Sequence, residues 1–88
     1  MINGNQVFTF ISKRVAVSQQ GEKYIAVVVL TKDTSAKITF ISKNEQVINE
    51  MLKKELTQFQ DIKLFFQFKR EFNKEKRISY WTCNLVGV

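Results

Sequence analysis

Histidine and proline are absent from these 88 residues, cysteine occurs once and glycine three times. Each shortage removes a class of function. Without histidine, the usual general base near neutral pH is missing. A lone cysteine, Cys83, closes no internal disulfide, and with no histidine it completes no standard zinc site. Gly4, Gly21 and Gly87 stand apart from one another, so there is no glycine-rich phosphate loop. The carboxylates are Asp33, Asp61 and six Glu, placed in turns, on a helix face or among lysines. Nothing there sets up the raised pKa that a catalytic carboxylate pair needs. Cys83, beside Trp81 in an apolar stretch, reads as a small buried hydrophobe. No enzyme activity, cofactor or metal is expected.

What is present is apolar and basic. Hydrophobic residues make up 44% and charged residues 25%, a globular composition for a chain that fits one domain, residues 1–88. Eight Phe, two Tyr and one Trp let few side chains build a core. The formal net charge is +6, which on so small a domain attracts polyanions. Half of that excess lies in residues 61–88, where Lys63, Lys69, Arg70, Lys74, Lys76 and Arg77 outnumber Asp61, Glu71 and Glu75. The start of the chain lacks the basic and apolar segments of a signal peptide, and the run Ile25–Leu30 is too short to span a bilayer. With the single cysteine, this reads as a cytoplasmic protein that does not engage membranes. Abundant Lys, Asn, Ile and Phe, with A/T-rich codons, suggest an A/T-rich genome such as a low-GC bacterium, its plasmid or its phage.

Period-two patterns predict strands at Val7–Ser18, Lys23–Thr31, Ala36–Ile41, Asp61–Phe72 and Arg77–Val86. The second is β-branched and apolar on both faces, as a central strand is. Gly21 supplies the first turn and Asn73–Lys76 a charged hairpin connection. Between the third and fourth strands, Ser42-Lys43-Asn44-Glu45 fits a capping box, and Val47, Ile48, Met51, Leu52 and Leu56 recur at helical spacing. A helix is predicted over 43–57, with a wet face of mixed charge unsuited to membranes. The order β-β-β-α-β-β leaves one helix to cover strands that are apolar on two faces. A small five-stranded barrel, mainly β with one helix, solves that and removes most free edges.

The constellation with chemical content is aromatic plus basic. Phe8, Phe10, Ser12 and Arg14 share one face of the first strand. On the fourth, Phe65 stands among Lys63, Gln67 and Lys69, opposite an apolar stripe of Ile62, Leu64, Phe66, Phe68 and Phe72. A ring flanked by lysines suits a single-stranded nucleic acid, whose bases stack on rings while lysines meet phosphates. Tyr80 and Trp81 point to opposite faces, so one can join this platform, and Lys74, Lys76 and Arg77 can close over a strand as a basic finger. The structural alternatives are core packing for Phe8, Phe10 and Phe65 and a solvated hairpin for residues 74–77. A double-stranded DNA binder fits less well, because the mixed face of the predicted helix makes a poor recognition helix.

The whole chain, three strands, a helix, then a long basic hairpin from Asp61 to Val86, resembles the OB-fold, and in particular small single-stranded DNA-binding proteins of phage or plasmid type. The resemblance implies a groove lined by the second and third strands, the loop near Gly21 and the hairpin loop 73–77. It adds Lys23, Tyr24 and Phe40 to Phe65 and Trp81 as candidate binding residues. Single-stranded DNA is the implied partner, in replication or recombination, with RNA also open and a homodimer a further option. Two features depart from that family. Lys13-Arg14 stand where OB-folds commonly carry a glycine or bulge in the first strand. The sequence ends at Val88 without the acidic tail of bacterial single-strand binders, which implies partner recruitment by another route. The alternative function is a small phage or mobile-element module that docks on a host protein through the same aromatic surface.

Overall fold

The computed structural model describes residues 2–88. Its elements are β1 (Ile2–Val17), β2 (Lys23–Thr31), β3 (Lys37–Ser42), α1 (Glu45–Lys53), β4 (Asp61–Asn73) and β5 (Ile78–Gly87). The strands close into a barrel in the order β1-β2-β3-β5-β4. This is the small OB-like barrel that the sequence predicts, with one helix between β3 and β4.

β1 starts five residues earlier than its hydrophobic pattern suggests. Ile2 to Thr9 pair antiparallel with β4, from Phe68 back to Asp61, and Phe8 to Val17 pair with β2. Asn3, Gly4 and Asn5 have low strand propensity, but ladder pairing with β4 overrides it. A strand shared by two neighbours has to bend, and β1 does so at a register shift between Phe10 and Ser12. The bulge needs no glycine. Phe10 turns its backbone to the loop before β4, donating to the Gln60 carbonyl at 2.8 Å and accepting from the Phe59 amide at 2.7 Å.

Inside the barrel, Phe8 meets the rings of Phe40 and Phe66 edge-on, with centroids 5.4 and 5.8 Å away. Ile25, Val27 and Val29 of β2 and Leu64 of β4 are fully buried beside them. Phe10 is buried as well. Both aromatic residues of the β1 face are therefore core, and only Ser12 and Arg14 of that face reach solvent.

The helix is shorter than its sequence pattern and starts from a different cap. Asn44, in extended conformation, accepts from the amides of Gln46 at 2.9 Å and Val47 at 3.3 Å. Ser42 is instead the buried last residue of β3, and its hydroxyl accepts from the Asn44 amide at 3.1 Å. With Asn44 as the cap, Glu45 falls at the first helical position and closes no capping box. Val47, Ile48 and Met51 are buried, Leu52 is exposed, and Leu56 packs on the core from the following loop. Lys54 is already extended. Lys13 explains this end: its ammonium donates to the carbonyls of Met51 at 2.6 Å and Lys54 at 2.7 Å. Among the described residues no helix is long and apolar enough to cross a membrane.

Candidate nucleic-acid interface

The barrel ladders stop before the β4–β5 hairpin does. β1 pairs with β4 only as far as Phe68, and β3 meets β5 at a single pair, Ile41 opposite Asn84. From Lys69 to Asn73 and from Ile78 to Thr82 the two strands pair only with each other and project as a ribbon. Both faces of such a ribbon are wet. Phe72, read from its pattern as part of the apolar stripe, is 60% exposed because its strand has outrun the barrel. Trp81 is 54% exposed, and Ile78 and Tyr80 are exposed as well.

Basic groups accompany these rings. Arg70 lies opposite Trp81 and donates to the Ser79 hydroxyl at 2.8 Å. Lys69 sits 3.4 Å from Glu71 in an exposed ion pair of little strength. At the tip, the Asn73 side chain accepts from the amides of Glu75 and Lys76 at 3.0 and 3.2 Å. Arg77 then takes a left-handed φ of 53° to bring the chain back into β5. Lys74, Lys76 and Arg77 are all exposed there.

Between the ribbon and the outer face of β3 runs a groove of about 540 Å³. Thr39, Ile41 and Lys43 line it from β3 and its end, and Lys69, Trp81 and Thr82 from the hairpin. Lys43 is paired with Glu22 of the β1–β2 loop at 2.6 Å. It also lines a second hollow of about 360 Å³ in which Lys23 and Lys43 stand beside Glu22 and Glu45, a surface of balanced charge. Tyr24 is half-buried in β2, across from Ala16. Cys83 lines the groove half-buried, and desolvation pushes its thiol pKa up, which favours the less reactive protonated form.

Of the residues expected at the site, Lys69 and Trp81 meet in this groove, and Lys74, Lys76 and Arg77 lie along the ribbon's tip. Lys23 lies in the adjoining hollow. Phe65 is 42% exposed on the outer face of β4, with the Lys63 ammonium 5.6 Å from its ring centre. Phe40 does not belong to the set. It is 0% exposed and stacked among Phe8, Phe66 and Phe68, so no base reaches its ring. Sequence reasoning also passed over Arg70, Phe72 and Ile78. The signal for them was the consecutive charged run Lys69-Arg70-Glu71, which places charge on both faces and marks where the strand leaves the barrel.

No family model and no curated protein matches this sequence. Among solved structures, the chain is similar to the crystal structure of the SSB domain of a protein from Synechococcus sp.. That likeness has a TM-score of 0.67 at 11% sequence identity, over 98% of this chain and 91% of that one. The likeness establishes a shared fold over nearly the whole length of both chains.

Proposed function

We propose that this protein binds single-stranded nucleic acid without catalysis, and that DNA is its substrate. The observation that carries the reading is the projecting β4–β5 ribbon, where exposed Trp81 and Phe72 share one face with Arg70, Tyr80 shares the other with Lys69, and Lys74, Lys76 and Arg77 sit at the tip. Bases stack on the rings, each contributing about 1–3 kcal/mol, while the cations neutralise phosphates. The SSB domain that shares the fold supports the same reading. If four to six phosphates are neutralised, log K falls against log salt with a slope of about −3 to −4. A Trp81 fluorescence titration with oligo-dT at low and moderate salt, against a duplex control, tests it. Quenching that favours the single strand and weakens with salt is the expected result. Equal affinity for duplex, or affinity independent of salt, refutes it and leaves the ribbon as a protein-docking surface.

A further inference from the structure

We propose that Phe65 forms a second base-stacking subsite, separate from the ribbon and reached only by longer strands. This rests on the proposed single-strand binding and adds how the strand is placed. The antiparallel register sets Asn5 directly opposite Phe65, and Asn3 opposite Gln67, so these side chains share the outer face of the β1–β4 ladder. Phe65, Asn3 and Asn5 surround a shallow hollow of about 300 Å³ whose floor is Gly4 over the Phe66 ring. Only glycine fits that floor closely: a Cβ at Gly4 would stand 3.0 Å from two ring carbons of Phe66.

The hollow adjoins the Trp81 groove. Gln67 lines the groove, Asn3 lines the hollow, and Gln67 donates its amide to the Asn3 side-chain oxygen at 2.9 Å. The outer stripe of β4 therefore runs Lys63, Phe65, Gln67, Lys69 from one aromatic site to the other. Along β4, Phe65 is four residues from Lys69, which shares its outer face and lines the groove with Trp81. At about 3.3 Å per residue that is roughly 13 Å, or about four steps of a stacked strand. A trinucleotide occupies one subsite; a dodecamer spans both.

Lys63 gives the second subsite its salt dependence. In the free protein its ammonium lies over the Phe65 ring, an exposed cation–π contact. A stacking base takes the ring and releases the ammonium to the adjacent phosphate.

The test compares dT12 with dT3 for the wild type, Phe65→Ala, Phe65→Tyr and Lys63→Gln, read by Trp81 fluorescence. Phe65→Ala is expected to weaken dT12 by about 5- to 150-fold and to leave dT3 within twofold. Phe65→Tyr retains dT12 affinity. Lys63→Gln lowers the magnitude of the dT12 salt slope by about 0.7. Wild-type binding of dT12 that Phe65→Ala leaves unchanged overturns the second subsite alone. Equal loss for both oligonucleotides overturns its separateness. A wild type that ignores dT12 overturns the single-strand reading itself, and the subsite with it.

Discussion

Lys13 separates charge that builds the fold from charge that faces a ligand. Its ammonium is half-buried and donates to the Met51 and Lys54 carbonyls, two acceptors left over at the end of α1. Lys13→Met keeps the apolar stem and removes the donors. A hydrogen bond to a charged group contributes about 1.5–3 kcal/mol, and a cation at a helix C-terminus up to about 2 kcal/mol when partly buried. The Lys54 carbonyl lies on the exposed side and water replaces the lost donor there, so the two bonds do not add in full. Met51 is 0% exposed, so its carbonyl is the one left short. The expected loss is about 1.5–3 kcal/mol. At about 4–8 °C per kcal/mol for a domain of this size, the melting temperature falls by roughly 6–24 °C. Urea denaturation followed by circular dichroism measures the free energy, and the oligo-dT salt slope of the folded variant stays at the wild-type value. Lys74→Met at the ribbon tip is the converse: stability within about 0.5 kcal/mol of wild type, and a salt slope smaller in magnitude by about 0.7. A Lys13→Met variant as stable as wild type, or one whose salt slope drops, refutes the assignment of Lys13 to the helix end.

Other outcomes follow from the same geometry. Asn44→Ala should cost about 1 kcal/mol in chemical denaturation, because it removes the acceptor for two helix amides; Glu45→Ala should cost less than half of that, and the reverse order would restore the capping box at Ser42. Gly4→Ala forces a Cβ against a Phe66 ring held by Phe8, Phe40 and Phe68, with a loss of about 1–3 kcal/mol in unfolding free energy read by a lower urea midpoint, whereas a neutral effect would show that the ring yields. Cys83 should alkylate more slowly at pH 8 than a free thiol, since burial raises its pKa and less thiolate is present, and saturating oligo-dT should slow it further. Asp33 accepts from the Thr34 amide at 2.7 Å, which holds its carboxylate below the ordinary range. Its contribution is therefore present above the unfolded pKa and lost as pH falls through the lower folded value, and an NMR titration should show the Thr34 amide shifting over that acidic range.

The barrel was legible wherever one residue's environment set the pattern. β2 is predicted at Lys23–Thr31 and found there, because a strand buried on its inner face and half-covered on its outer one reads as a continuous β-branched run. Elements were misjudged where a distant partner decided. Asn3-Gly4-Asn5 have no strand signal of their own and become strand because β4 offers a ladder. The helix ends where it does because Lys13, thirty-eight residues before Met51, supplies the donor. The bulge of β1 is held by Phe59 and Gln60 rather than by a glycine. None of these contacts leaves a local trace, since each depends on a residue brought near only by the closed barrel.

The site shows a different asymmetry. The alternation of β4 correctly put Lys63, Phe65, Gln67 and Lys69 on one outer face, because a period-two pattern survives any partner. It could not say where the barrel stops covering the inner face, and so Phe72 was grouped with Leu64 although one is exposed and the other fully buried. Net charge misleads in the same way. Lys13 is used by the helix, and Lys32, Lys43 and Lys69 have carboxylate partners, so the total of +6 does not locate the anion-facing surface. Position does. Lys74, Lys76 and Arg77 share an exposed ribbon with Trp81, Tyr80 and Phe72, so cation and ring stand a few residues apart, as the proposed binding of a phosphate and its base requires.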